Sequence, residues 1–187
     1  MKKFLIPIFI VTLGLFVAKV IAQEKSQNME TAKTAPEQPT KKVEKTDADW
    51  QKELTPEQYR VLRKSGTEAP HSQTYKEFNQ QKGGTYYCAG CGAKLFTSAH
   101  KFDSHCGWPA FYDAADNKNV KLVDDVSLGM IRTEVRCATC DGHLGHLFKG
   151  EGFDTPKDQR YCINGVTLTF VPAGEEKNVE PAEKKEK

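Results

Sequence analysis

Four of the six cysteines in this chain fall into two C-x-x-C pairs, Cys88-Ala-Gly-Cys91 and Cys137-Ala-Thr-Cys140. Each pair closes a strand-like run and leads into a glycine, Gly92 or Gly142. Zn2+ takes four thiolates in a tetrahedron, and two such turns supply them once their strands meet in space. A four-thiolate site has no open position for water, so the ion expected here is structural. The competing readings are structural disulfides, which an oxidising compartment favours, or a redox dithiol in one pair. The matched spacing and the neighbouring glycines suit twin metal-binding turns better.

Cys106 and Cys162 are not needed for that site. Cys106 sits in Asp103-Ser104-His105-Cys106-Gly107-Trp108-Pro109 and Cys162 in Arg160-Tyr161-Cys162-Ile163-Asn164. Strand alternation from Arg160 to Val171 puts Arg160, Cys162, Asn164, Val166, Leu168 and Phe170 on one face. A guanidinium on the thiol's own side favours the thiolate and lowers the thiol pKa, which a nucleophilic cysteine requires and a packing cysteine does not. His143-Leu144-Gly145-His146 adds two imidazoles. At this spacing they fall on opposite faces of a regular strand, so joint action requires a bulge, and Gly145 is where the backbone can make one. With the metal site filled by cysteines, at least one histidine is expected to act chemically. Two surface histidines, or a histidine replacing one cysteine at the metal, are the alternatives.

These groups need elements to position them. Thr55-Pro56-Glu57-Gln58 has capping-box spacing with proline at the first helical position and predicts a short helix to Lys64. A second helix is expected over Ser72 to Gln81, stopped by Gly83-Gly84. Short strand-like runs follow at Thr85–Cys88, Lys94–Thr97, Ala110–Tyr112, Val120–Val123, Ile131–Cys137, His143–Phe148 and Arg160–Val171. Many short strands with Gly and Asp turns predict a mainly β, antiparallel domain behind short N-terminal helices.

Composition bounds the rest. A length of 187 residues suits one domain once the ends are discounted. A net charge of +2 with no basic face in the central sequence gives no reason to expect nucleic acid as a partner. Residues 1–22, Met-Lys-Lys followed by an apolar stretch of roughly 15 residues and Val20-Ile21-Ala22, read as a secretory signal peptide. That predicts a periplasmic or extracellular address; left uncleaved, the same segment is a membrane anchor, although Lys19 interrupts the apolar run. Residues 23–47 are rich in Lys, Glu, Gln, Thr, Ala and Pro and are expected to be a disordered linker. Residues 174–187 have the same character and read as a disordered tail, leaving 48–173 as the folded domain.

Taken in order, C-x-x-C, Cys106-Gly-Trp-Pro, C-x-x-C, His143-Leu-Gly-His146 and Arg160-Tyr-Cys-Ile-Asn164 resemble the methionine-R-sulfoxide reductase B family, as does Gly66-Thr67-Glu68 near the start. The resemblance covers Leu54 to Phe170. It implies a fold of two rolled antiparallel sheets, with the zinc site at the end away from catalysis. It implies that Cys162 attacks the sulfoxide sulfur and becomes a sulfenic acid, that Cys106 resolves this to a disulfide, and that a thioredoxin-like reductant restores the dithiol.

A sulfoxide is a poor electrophile until its oxygen is protonated or hydrogen-bonded, and His143 and His146 are the acids the motif set offers. Asn164 is a candidate to hold that oxygen or a bridging water, and Trp108 resembles the aromatic platform that receives the S-methyl group. Two positions depart from the family pattern. Gly150 stands where an Asp is common four residues after the second histidine, with Glu151 and Asp154 nearby, and His71 stands where a Phe is usual. The first leaves open which acid orients a catalytic histidine.

The expected partners are oxidised exported proteins and a thioredoxin-like or envelope thiol donor, because such a compartment does not itself supply reducing equivalents. A monomer is expected. Two other classes compete: a zinc-ribbon-like binding module in which Cys106 and Cys162 only pack or form a static disulfide, and a disulfide oxidoreductase that uses one C-x-x-C and binds no metal.

Overall fold

The computed structural model describes residues 42–175. The signal-peptide reading, most of the linker and nearly all of the tail lie outside them. Among the described residues three helices come first: α1 (Asp47–Glu53), α2 (Pro56–Lys64) and α3 (Gln73–Gln80). Eight strands follow: β1 (Gly84–Cys88), β2 (Lys94–Thr97), β3 (Ala110–Phe111), β4 (Val120–Asp125), β5 (Arg132–Cys137), β6 (His143–Lys149), β7 (Gln159–Ile163) and β8 (Leu168–Pro172).

The predicted capping box is formed. The Thr55 side chain accepts from the Gln58 backbone N–H, and Gln58 Oε1 accepts from the Thr55 N–H. This satisfies two donors that the first turn of α2 leaves open. Ser72 caps α3 through its hydroxyl alone, which accepts from the Tyr75 N–H.

Helix α1 was not expected, and the linker reading does not hold at its end. Val43 donates its N–H to the Thr139 carbonyl at 2.9 Å and packs on the core, and Thr46 caps α1. Trp50, on α1, is buried beneath Lys45 and Arg63, which lie 4.8 and 4.9 Å from its ring. An indole fills a large pocket, and the two cationic stems shield its face. One large aromatic therefore draws a polar-looking segment into the folded unit.

The strands form two antiparallel sheets, ordered β2-β1-β8 and β3-β7-β6-β5-β4, so the mainly β expectation holds. Their shared core is aromatic. Phe96 stacks on Phe111 with centroids 4.4 Å apart, and Tyr86, Tyr161 and Phe78 of α3 close around that pair. Offset and edge-to-face contacts of this kind add to simple area burial.

The run from Arg160 to Val171 is not one strand. It breaks after Ile163 into a short 3-10 turn at Gly165–Thr167, and β8 joins the other sheet. The turn is dictated from outside: a Cβ on Gly165 would lie 2.4 Å from Thr74 Oγ1, and the Gly165 N–H is taken by Glu68. Alternation therefore holds through Cys162 but does not carry Val166, Leu168 and Phe170 onto its face.

Candidate active site and metal centre

The four C-x-x-C cysteines meet at one point. Cys88 closes β1 and Cys137 closes β5, so the β1–β2 and β5–β6 turns bring the pairs together, with all four Sγ atoms within 4.8 Å of one another. Cys88 and Cys140 are 3.7 Å apart and Cys91 and Cys137 3.5 Å. Four sulfurs around Zn2+ at about 2.3 Å lie about 3.8 Å from one another in a tetrahedron, so this cluster fits the ion. No histidine joins it. Strand β5 runs from Arg132, at the cleft described below, to Cys137 at the cluster. Its six residues span about 17 Å, so the two sites are separate.

The remaining two cysteines are also brought together, at an Sγ–Sγ distance of 3.8 Å. Cys162 lies on β7, paired with Ala110 of β3 on one side and His146 of β6 on the other. Cys106 lies in the loop before β3, where His105 and Gly107 both have positive φ (55° and 87°) and Asp103 holds the His105 N–H. A side chain at Gly107 would press on Pro70 at 2.9 Å. The tight turn therefore needs glycine there to seat Cys106 against Cys162.

The two thiols share their protons unequally. Cys106 is pulled down to about 5 by the hydrogen bond from Cys162, helped by Ser104 Oγ at 3.0 Å, the Trp108 backbone and the Arg160 charge, against the effect of burial. Cys162 is pushed well up by its hydrogen bond to Cys106, by burial and by the charge on Cys106, which outweigh the lowering effect of Arg160. Two thiolates this close repel, so the pair gives up one proton readily and holds the other. Arg160 does favour the Cys162 thiolate, as expected from the sequence, but the hydrogen bond to Cys106 and burial outweigh that effect.

Arg160 is buried and gripped through Nε and an Nη by both oxygens of Glu151, each at 2.8 Å. Its guanidinium lies 4.5 Å from the Phe148 ring. Burial lowers the Arg160 pKa, yet Glu151 and the two cysteines together raise it above the usual value. Glu151, one residue beyond the departing Gly150, is thus the acid that serves this corner of the site. It was named in the sequence only as a neighbour.

The conditional argument about the histidines is met. On β6 the register slips opposite Val135 and Arg136, leaving Leu144 as an extra residue. The bulge turns both rings to one side, with centroids 5.5 Å apart. Each ring has its own carboxylate: His143 Nδ1 lies 2.6 Å from Glu134 and His146 Nε2 2.8 Å from Asp125.

Asp125 is held well below the ordinary carboxylate range, first by the Ser127 hydroxyl and then by His146. Burial pushes Glu134 up, but Arg136 and His143 outweigh it and the net shift is downward. His143 is lowered by burial, only partly offset by Glu134, and so favours the neutral form. Neither acid was singled out in the sequence. The signal for Glu134 was the alternation of Arg132, Glu134 and Arg136 on a strand, three charges on one face.

A cleft of about 170 Å³ opens over Cys162, lined by Trp108, Phe148, His146, Arg132, Thr67 and Asn164. Trp108 is fixed by its indole N–H, which donates to the Glu68 carbonyl at 3.0 Å. Cys106 and His143 do not border this cleft; His143 lies behind it, in an adjoining polar hollow with Glu134 and Asp125. Asn164 does border it, but its side chain works structurally. Oδ1 accepts from the Glu68 N–H at 2.9 Å, and Nδ2 donates to the Leu144 carbonyl at 3.0 Å, leaving one N–H for other use. A larger hollow of about 330 Å³ beside Trp50 and Thr139 holds no histidine and no cysteine outside the metal cluster.

A half-buried thiol pair with one member lining an aromatic-walled cleft can carry out a two-electron reduction that ends in a disulfide. The SelR domain model matches residues 54–172. A peptide methionine sulfoxide reductase MsrB of Leifsonia xyli subsp. xyli (strain CTCB07) is 51% identical over 133 residues, 71% of this chain and 94% of that protein. Peptide methionine sulfoxide reductase B7 of Arabidopsis thaliana is 50% identical over 136 residues, 72% of this chain and 90% of its own length. The chloroplastic peptide methionine sulfoxide reductase B3 of Oryza sativa subsp. japonica is 46% identical over 134 residues, 72% of this chain and 56% of its own length.

Proposed function

This chain belongs to the SelR-domain family, and from that membership we propose that it is a peptide methionine (R)-S-oxide reductase acting on oxidised proteins. One observation carries the reading: two thiols 3.8 Å apart, of which only Cys162 faces a cleft walled by Trp108 and Phe148 and bordered by His146.

Cys162 is the nucleophile because it is the thiol a bound sulfoxide reaches. Attack needs the charge on Cys162, and moving the shared proton across the sulfur–sulfur contact puts it there. Arg160, whose charge acts on both sulfurs, stabilises either form. His146 gives Nε2 to Asp125, which leaves its other ring nitrogen for the sulfoxide oxygen. Protonation there makes the sulfur electrophilic. His143 acts from behind, holding a neutral ring against His146.

The Cys162 sulfur bonds to the sulfoxide sulfur, the oxygen passes to Cys162 as a sulfenic acid, and methionine leaves. Cys106 then attacks that sulfenic acid, the oxygen departs as water, and a Cys106–Cys162 disulfide closes. Overall, two thiols give two electrons and two protons to the sulfoxide. A thioredoxin-like or envelope dithiol reopens the bridge by exchange. Trp108 against the S-methyl group and His146 at the oxygen leave one sulfoxide epimer aligned with Cys162, which selects R over S.

Cys88, Cys91, Cys137 and Cys140 would hold a Zn2+, which would tie two turns together without taking part in the transfer. With residues 1–22 read as an export signal, the biological task is repair of exported proteins exposed to oxidants.

The test is turnover of separated R and S epimers of a methionine sulfoxide peptide with dithiothreitol as reductant. Methionine formed from the R epimer alone is expected. A preference for S, or no turnover of either epimer, defeats the reading.

A further inference from the structure

Among the described side chains of the loop between β4 and β5, residues 126–131, three apolar ones are exposed: Val126 at 73%, Met130 at 46% and Ile131 at 90%. Aliphatic side chains gain by being hidden from water, so several exposed within one short loop point to a surface that meets something. The loop has no charged residue of its own.

One of its roots lines the cleft, and the other holds a residue that does. Asp125, just before Val126, holds His146. Arg132, just after Ile131, lines the cleft and clamps the loop through Asp125 at 2.6 Å and Ser127 Oγ at 3.4 Å. That ion pair neutralises the two charges flanking the apolar stretch. The apolar loop therefore adjoins the cleft, joined to it through Arg132.

We propose that Val126, Met130 and Ile131 receive the apolar residues that flank a methionine sulfoxide in an unfolded polypeptide substrate. This rests on the reading of the cleft as the sulfoxide pocket. A hollow of about 170 Å³ takes one side chain, so the neighbours of that side chain must lie on the rim. Methionines that become exposed when a protein loosens come from cores and bring aliphatic neighbours with them. Met130 suits such a surface because an unbranched thioether adapts to varied partners.

The experiment compares three R-sulfoxide substrates with dithiothreitol as reductant: a capped single amino acid, a peptide with Leu and Val flanks, and the same peptide with Ser flanks. The wild type is expected to favour the apolar peptide over the Ser peptide by about tenfold in kcat/KM, equivalent to about 1.4 kcal/mol. Val126→Ser/Ile131→Ser is expected to bring the apolar peptide down to the Ser level through KM while the capped amino acid is turned over as before. Both positions are largely exposed, so the fold tolerates the change.

A variant that keeps the preference, or a wild type active on the capped amino acid without any preference, overturns this inference alone. A wild type inactive on all three substrates overturns the reductase reading and this inference with it. Loss confined to assays driven by a thioredoxin assigns the surface to the reductant. Self-association of the wild type that the variant abolishes assigns it to a second copy. Either of those results also overturns the proposal.

Discussion

His146 stands directly opposite Cys162 on the β6–β7 ladder. That single register position puts a ring held by Asp125 beside the sulfur that faces the cleft. The strands can come this close because the residue before His146 is a glycine: a Cβ at Gly145 would lie 2.0 Å from the Cys162 carbonyl oxygen and 3.0 Å from the Ile163 Cα.

Gly145→Ala is therefore expected to cost stability as well as activity. Both clashing atoms are backbone, so the ladder itself must shift. A loss of about 2–3 kcal/mol in urea unfolding is expected, together with collapse of turnover. Unchanged stability and activity would show that β6 and β7 have room to separate.

The two thiols divide the labour. Cys162→Ser should abolish reduction while metal content and folding persist. Cys106→Ser removes the largest influence holding the Cys162 thiol up and leaves Arg160 to lower it, so it should still form one equivalent of methionine per chain and then stall at the sulfenic acid. Burst kinetics with trapping of the sulfenic acid checks both variants. Multiple turnovers by the Cys106 variant would remove Cys106 from the cycle.

Ionisation of the reduced pair should be visible in alkylation. With Cys106 at about 5, a brief pulse of iodoacetamide at pH 6 to 7 should label Cys106 ahead of Cys162. The rate should fall as pH drops through about 5, because protonation removes the thiolate. Peptide mapping identifies the labelled residue. A profile centred near 8.5, the value of an isolated cysteine, would contradict the shared-proton pair.

Glu151 acts through Arg160. Glu151→Gln keeps the shape and removes the charge, while Arg160→Ala removes the guanidinium. Each is expected to lower kcat/KM by about tenfold or more, and the double variant should fall no further than Arg160→Ala alone, since the first change works only through the second residue. The Cys106 alkylation profile should move upward in the Arg160 variant. Additive losses would separate the two residues.

The metal cluster predicts one Zn2+ per chain, lost with Cys91→Ser, and a lower thermal midpoint for the metal-free form. Structural Zn2+ sites contribute binding energy directly to folding, on the order of 10 kcal/mol in small domains. Atomic absorption and calorimetry measure both effects. A metal-free protein of equal stability would return the cysteines to the disulfide or redox readings.

Much of this molecule was legible along the chain because the signals are local. The Thr55 capping box, the paired C-x-x-C turns and the β2 and β5 runs each express a preference that a few neighbouring residues settle among themselves. The bulge between the histidines was foreseeable, since two histidines three apart can share a face no other way on a strand, but it falls at Leu144 and not at Gly145 as the sequence suggested.

The residue types, their order and their spacing determined the chemistry available: four soft metal ligands, two spare thiols, two imidazoles and a guanidinium. Tertiary structure alone decided which of these touch. Glu68 and Thr74 break the run after Ile163 from some ninety residues away. Val43 and Trp50 bring in a segment whose composition resembles a tether. Cys106, fifty-six residues from Cys162, outweighs the effect of Arg160, two residues away, on the Cys162 thiol. The reason is common to all three. Ionisation and strand ends depend on the burial and Coulomb energy of groups a few ångströms apart in space, and separation along the chain says almost nothing about those distances.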